Sequence, residues 1–446
     1  MIISENTTQQ QGLQCPSLPC NLPRSMETLL QSTPEHARPA VAMAVFSALR
    51  IMLSEVKFRY ADASLTEPCF MNLCIAPQAS GKTAIRQPVN EILNQVQKED
   101  LVNRLKLQEW REKVASLGAN KQKPAEPSLP IRIVQADMTN PALVRLAKKA
   151  NGHSLYTYGE ELEKLFRLKG ASEVIRSAFD NELYGQERVS PNGISDVVTL
   201  RWSWNFSSTP DTARRLLRND ISTGTLSRLC LSTIVQDDWA EDFPIFGEYG
   251  EEYRQKIKPY LERLTHAKGI IDCEEAKQWV MRQKAKNIDL LKMQDCKAML
   301  PFLFRSLLMG FWRACMLYIM HGGEWSAEIE QFASWTVDYD LFCKFHFFGD
   351  MIEAQEELNN AATMHRATNL LSLLPGTFTR EQAMEMRRQN GKDCSPKAPK
   401  NMLGTWVHRK FVVFDSEKQV YRKTAEYASA LGRAIPHSRR VSNAED

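Results

Sequence analysis

The sequence predicts an α/β chain with a mainly parallel sheet, then an α-helical stretch, then a small end of helices and a hairpin. Three observations carry this. Short apolar runs alternate with helical periodicity from about residue 69 to 234, the pattern of strand–helix–strand crossovers. The first run, Cys69–Ile75 (CFMNLCI), passes straight into a loop, Ala76–Thr83 (APQASGKT), and a long helix. From about residue 239 the strand signals stop, and residues 251–365 read as long helices.

The elements follow in order. Residues 1–20 are polar and rich in Gln, Thr and Ser, a disordered leader with no apolar core that could serve as a signal peptide. Residues 21–66 read as a helical segment, with Val41, Val45, Leu49 and Leu53 on one face. Residues 67–238 form the α/β core. Its helix over 81–117 is charged beyond Gln97 and is broken by Lys121–Pro130 (KQKPAEPSLP). Then come a strand at Ile131–Gln135, a helix at Asn140–Asn151, a strand at Ser154–Tyr158 and helices at Glu160–Leu168 and Ala171–Leu183. A strand at Val197–Phe206, a helix at Asp211–Leu217 and a strand at Leu226–Ile234 complete the core. A helical domain spans 239–365, a winged-helix-like domain 366–424, and a basic tail 425–446. With 446 residues, two or three domains are the natural reading.

A buried strand, a loop ending Gly-Lys-Thr and a helix together make the setting of a P-loop. Backbone N–H groups of such a loop surround phosphates at a helix N-terminus. Ala76, Pro77, Gln78, Ala79, Ser80, Gly81, Lys82 and Thr83 are the expected nucleotide-binding residues. Gly81 allows close backbone approach, Lys82 reaches the β- and γ-phosphates, and the Thr83 hydroxyl goes to Mg²⁺. ATP and Mg²⁺ are the ligands expected.

Hydrolysis also needs a carboxylate for the metal and another for water, normally at the end of a second strand beside the first. LYTYGEEL fits, with Glu160 at the metal and Glu161 polarising water, although acidic residues in a first helical turn are also what the macrodipole favours. The strand at 131–135 falls between the loop and the acidic strand in sequence. That insertion is shared with ATPases of the RecA and AAA+ type and points to a core of that kind. Those enzymes place a polar sensor of the γ-phosphate at the next strand end, where Ser207, Ser208 and Thr209 stand, Ser208 being the chosen candidate. Ring ATPases further need an arginine from a neighbouring subunit. Arg228, where a strand begins after a flexible loop, is placed for it.

With these blocks in order, the chain resembles the domain-of-unknown-function 3987 family, P-loop ATPases of phages, plasmids and bacterial mobile elements. The blocks are APQASGKT, then Ala136–Thr139 with Pro141 opening a helix, LYTYGEEL, FDNELYGQER, Ser207–Pro210, and Leu226–Leu229, covering residues 22–235. The resemblance implies an ATPase like a replicative helicase or primase-helicase, and supports Glu160, Glu161 and Arg228 in their roles. The chain departs from the family's pattern twice, with Ala76 where Gly is usual and Glu160 where Asp is usual.

Charge and the C-terminal end add a nucleic-acid partner. The whole chain is +4, while residues 361–446 hold 15 Lys+Arg and 8 Asp+Glu, or +7, leaving −3 elsewhere. Three helices and a hairpin over 366–424 make a winged-helix pattern whose third helix, Lys397–Arg409, carries Lys397, Lys400, His408 and Arg409, with Lys410 beyond. Single-stranded DNA in the core and duplex DNA at the winged helix are the partners expected of a homo-oligomeric ring. No membrane role is expected: Ala298–Ile319 is apolar but includes Arg305 and Arg313, costly in lipid and better placed in a buried helix. Those two arginines are candidates for sensing nucleotide, with packing beside an acidic neighbour the plainer role. Ten cysteines without CxxC pairs fit free thiols in a cytoplasmic protein. The expected activity is an ATP-driven motor on DNA. Its rivals are a nucleotide-gated initiator or loader that moves nothing, a P-loop small-molecule kinase, and a DNA-binding adaptor with a decayed site.

Overall fold

Central to the fold is a parallel sheet whose strands are buried on both faces, as a computed structural model shows for residues 15–117, 121–186, 196–235, 247–293, 297–362, 370–389, 397–425 and 427. Residues 1–14 of the expected leader, and all of the expected basic tail but residues 425 and 427, fall outside those described residues, whereas residues 15–20 are described and Pro16 O accepts from Trp335 Nε1 at 3.1 Å, so that part of the leader is tied down by α12. The chain opens with α1 (Arg24–Leu30) and α2 (Arg38–Leu49). In α2 every residue from Ala40 to Leu49 is buried, since RPAVAMAVFSAL is apolar all round and belongs in a core. The helical expectation for 21–66 fails at its end. Glu55 turns left-handed (φ 57°), and Val56–Arg59 and Leu65–Thr66 form β1 and β2, an antiparallel pair. Val56 and Phe58 point inward and Lys57 outward, the period of two that marks a strand.

Next come β3 (Met71–Ile75), a 3₁₀ turn at Lys82–Ile85 and α3 (Arg86–Ser116), as expected. The strand expected at 131–135 is reduced to one parallel bridge, Ile133 to Tyr156. Asp100 of α3 holds it there by accepting from the Arg132 and Ile133 amides. Then follow α4 (Asn140–Lys149), β4 (Leu155–Gly159), α5 (Leu162–Leu165) and α6 (Ala171–Phe179). Three expectations need correction here. The helix over 171–183 stops at Phe179, because Leu183–Gln186 is β5. The strand over 197–206 is two strands, β6 (Asp196–Thr199), antiparallel to β5, and β7 (Trp202–Ser208). After α7 (Pro210–Leu217), the strand expected over 226–234 begins as a helix, α8 (Thr225–Arg228), and only Cys230–Ser232 forms β8.

The sheet order is β4-β7-β3-β8, all parallel, with the Ile133 bridge outside β4. Both β3 and β7 are buried along their whole length, as a sheet covered on both faces demands. Beyond the sheet lie α9 (Glu251–His266), a short β9 (Gly269–Ile271) parallel to β1, α10 (Glu274–Met293), α11 (Leu300–Met320) and α12 (Ala327–Ala362).

The chain divides into two compact units. Residues 1–287 and 301–351 make one, and 288–300 with 352–446 the other. The N-terminal helices, the sheet, α9, α11 and the larger parts of α10 and α12 therefore fall in one unit, and no unit boundary falls at 238. Lys297–Met320 is long and apolar enough to cross a membrane, yet 78% of its most apolar window is buried, as in a core helix. All eight described cysteines are free.

In the smaller unit, α13 (Leu370–Leu373), β10 (Thr377–Thr379), α14 (Arg380–Gln389), α15 (Lys397–His408), β11 (Val412–Asp415) and β12 (Val420–Lys423) surround Leu371, Phe378, Ala383, Leu403 and Val412. The expected cap at Thr379 is reciprocal. Its Oγ1 accepts from the Gln382 amide at 3.3 Å, and Gln382 Oε1 accepts from the Thr379 amide at 2.8 Å. The sequence reading missed β10, which joins the hairpin to make a three-stranded antiparallel sheet.

Charge is also buried behind the sheet. Lys344 and Asp340 of α12 pair at 2.7 Å with no exposure. Asp340 also accepts from the Leu231 amide (2.8 Å) and Ser306 Oγ (2.5 Å), which fixes β8 against α11 and α12. Lys344→Met leaves Asp340 buried and unpaired and should cost about 3–5 kcal/mol, whereas Asp340→Leu added to it should recover most of the loss in urea unfolding. Gly159, last in β4, has no room for a side chain: a Cβ there would stand 2.1 Å from the buried Phe206 ring. Gly159→Ala should lower stability by about 1–3 kcal/mol, seen as a lower denaturation midpoint.

Candidate functional site

The candidate site is built at the carboxyl ends of β3, β7 and β4, where an open parallel sheet presents its ligand crevice. β3 pairs with β7 on one side and β8 on the other, so the loop that follows it rises from the middle of the sheet. Its first residue is fixed to β7: the Ala76 amide donates to Ser208 O at 3.1 Å. Ala79 and Gly81 both take left-handed backbone (φ 59° and 76°). Such turns point successive amides into one concavity. Ser80 is buried and donates from Oγ to Pro77 O at 2.9 Å, while Pro77, Gln78 and Ala79 are exposed.

Lys82 bends back over its own loop. Its ammonium donates to Ala76 O at 2.8 Å and Pro77 O at 2.6 Å. Among the described residues no carboxylate pairs with it, and burial holds its pKa below the ordinary lysine value, with the neighbouring Cys74 opposing the shift. Here is a cation satisfied only by neutral carbonyls, available to a stronger anion. Thr83 is exposed in the turn that opens α3. The left-handed Gly81 also meets a residue that the sequence reading missed: a Cβ there would lie 3.6 Å from His36 Nε2. Nothing in the EHARP stretch marks His36, since 45 residues of chain separate it from Gly81.

The acidic pair reaches the same edge, but not on a neighbouring strand. β7 lies between β3 and β4, so Glu160 and Glu161 stand about 10 Å across the sheet from the loop strand. The reason is composition: WSWNFSS is buried on both faces and takes the central place. Gly159 is level with Phe206 and Phe206 with Leu73, so the strand ends stay aligned. Arg86, three residues past Thr83, donates to Glu160 Oε1 at 3.4 Å and ties the acidic strand to the loop helix. Glu161 faces Lys164 of its own helix at 3.6 Å. Both glutamates are exposed, at 61% and 64%.

Ser207 and Ser208 end β7 and are buried; Thr209 follows as the residue before α7 and makes no side-chain cap. Ser208 Oγ has no hydrogen-bond partner among the described residues, although it is buried beside the loop. A buried hydroxyl without a partner at this position suits a polar ligand, and so does the Lys82 ammonium, held only by neutral carbonyls. No three carboxylate, His or Cys groups cluster among the described residues. Mg²⁺ sites seldom need such a cage, since phosphates and water supply most ligands.

The three arginines part company. Arg228 ends α8 and is not in the strand. It lies level with the start of β3, about 20 Å from the loop along the strand direction, and pairs with Asp180 at 2.6 Å. Arg305 also finds Asp180 (3.1 Å), the acidic neighbour expected of it. Arg313 has no such neighbour. It is fully buried between the rings of Phe46 and Phe70 (5.6 and 5.1 Å), and its Nη2 donates to Cys230 Sγ. Burial raises the Cys230 pKa to about 11 against the pull of that guanidinium, so the thiol stays protonated. None of the three lies at the loop's own edge of the sheet. A groove of about 290 Å³, lined by Glu67, Arg201 and Ile270 among others, also opens at the amino edge, and its Glu67–Arg201 pair (2.6 Å) is internally satisfied.

No family model and no curated protein matches this chain.

Ser208→Ala removes a hydroxyl with no partner to lose, so the unfolding free energy should change by less than about 0.5 kcal/mol. A larger drop in urea unfolding would show that the hydroxyl is already engaged.

Proposed function

We propose that this chain is an ATP-hydrolysing P-loop motor acting on DNA, helicase-like and serving replication of a phage or mobile element. The observation that carries the reading is the loop of residues 76–83 at the end of a central buried strand. Its lone ammonium rests on the loop's own carbonyls, and a buried, unpartnered Ser208 hydroxyl stands beside it. The sheet order supports a RecA/AAA+-like core. A strand ending in serines separates the loop strand from the acidic strand, so a sensor can stand between phosphate and carboxylates.

In this reading the loop amides and Lys82 bind the triphosphate, and Thr83 and Glu160 hold Mg²⁺. The ion supplies charge neutralisation on the β- and γ-oxygens. Arg86 must release Glu160 for that role, an exposed pair that costs little to break. Glu161 orients and polarises the attacking water, and Ser208 donates to the terminal phosphate. Arg228 acts across a subunit boundary, which suits its distance from its own loop. The smaller unit is read as a winged helix. His408, Arg409, Lys410, Lys418 and Arg422 are exposed on it, a basic face for duplex DNA. The side chains of Lys397 and Lys400 lie outside the described residues.

The test is ATP turnover with Mg²⁺, with and without single-stranded DNA, alongside mass in solution. Turnover should rise with DNA, and Lys82→Ala should retain no nucleotide. Glu161→Gln should bind ATP as the parent does but lose turnover by about a hundredfold or more. Parent protein that neither retains nor cleaves ATP overturns the reading, and turnover indifferent to DNA removes the motor.

A further inference from the structure

A third polar side chain meets the loop, after Lys82 and Ser208, and it comes from the N-terminal helices. α2 runs back across the sheet: Ala44 O accepts from Asn205 in the middle of β7, and the Phe46 ring lies 5.7 Å from that of Phe70, just ahead of β3. The start of α2 therefore stands at the carboxyl edge, and a 3₁₀ turn at Glu35–Ala37 leads into it there. That turn is well held. The Ala37 and Arg38 amides donate to Pro34 O at 3.0 and 3.2 Å, Arg38 Nε donates to Thr33 O at 3.2 Å, and Ala37 is buried. His36 projects from it, half-buried, with Nε2 3.6 Å from where a Gly81 Cβ would stand.

Among the described residues the His36 ring has no hydrogen bond and no ion pair. Three polar groups from distant parts of the chain thus meet at one loop with no charged partner of their own: His36, the Lys82 ammonium on neutral carbonyls, and the Ser208 hydroxyl, more than nine-tenths buried. Filling the space beside Gly81 needs only bulk. A ring nitrogen there with nothing to bond suits a ligand. The distances allow one. A Cβ stands about 2.5 Å from its own amide nitrogen, so His36 Nε2 lies within about 6 Å of the Gly81 amide. A phosphate group accepting two hydrogen bonds of about 2.9 Å bridges donors about 5–8 Å apart. Resting on the reading of the loop given above, we propose that His36, protonated on Nε2, donates to the same nucleotide phosphate that the Gly81 amide binds. The N-terminal helical segment is then part of the phosphate site, and the charge on the acceptor strengthens the bond.

The experiment measures ATP affinity of the full chain with Mg²⁺, and displacement of bound ATP by pyrophosphate, which carries no base or ribose. His36→Leu keeps the bulk and loses the donor. It should melt as the parent does and bind both ATP and pyrophosphate about tenfold more weakly, or worse. His36→Gln keeps a side-chain N–H at similar reach and should stay within about threefold of the parent. A folded His36→Leu with parental affinity overturns the proposal. So does equal weakening by the two variants, which makes the shape of the ring the cause. Weaker ATP binding with pyrophosphate unchanged puts the ring on the base and overturns it too. Should His36→Leu fail to fold, His36→Ala replaces it under the same readings. A parent chain that retains no ATP sinks the loop reading itself, whereas a parent that retains it beside an indifferent His36→Leu sinks only this inference.

Discussion

The pairing of β3 between β7 and β8 is the constraint on which the rest depends. A five-residue strand buried on both faces needs a hydrogen-bonding neighbour on each side to satisfy its backbone, and both neighbours of β3 are parallel. That places its carboxyl end in the middle of the sheet and forces the loop out at the crevice. The loop's amides then have no ladder to join, and the left-handed turns at Ala79 and Gly81 gather them into a concavity. Lys82 completes the arrangement by lying across the loop carbonyls. Everything assigned to phosphate chemistry follows from that position, including the level ends of β7 and β4.

Support for the sheet comes from charges buried with care. α2 covers one face with an Ala- and Val-rich surface, close enough for Asn205 to donate to Ala44 O at 3.2 Å. The Asp340–Lys344 pair satisfies a β8 amide, so the edge strand is closed by side chains where no further strand follows. Arg313 is held differently, by two aromatic faces and a thiol, which substitutes cation–π attraction for a counter-ion. These groups fix α11 and the first part of α12 to the strands within the larger unit. The same helix α11 that carries Arg313 into the core turns Arg305 outward to Asp180, so packing and the cationic cluster share one element.

Much of the site was legible because its signals are local. The loop spelled out its own left-handed glycine and lysine. Thr379 and Gln382 named their own cap, and the acidic pair stood at a strand end as expected. The reading failed where local pattern and tertiary contact disagree. Val197–Phe206 reads as one strand by its β-branched and aromatic residues, yet it serves two sheets, antiparallel to β5 in its first half and parallel to β3 in its second. Thr225–Arg228 looks like the start of a strand but closes as a helical turn, with Ser227 bonded back to Gly224 O. Short β1, β2 and β9 escaped notice because each is only two to four residues long, too short for its alternation to stand out in the sequence.

By itself the sequence determined the parallel α/β character, the loop and its lysine, the two glutamates and the make-up of the C-terminal unit. Periodicity, turn residues and caps are properties of a few consecutive side chains, and they need no partner to be read. Only the tertiary structure decided that β7 intervenes between loop and acids, that His36 faces Gly81, and that Arg228 and Arg305 share Asp180. Those are pairings over tens to more than a hundred residues. Strand order and charge pairing are set by which buried surfaces fit together, a competition that no short stretch of chain records.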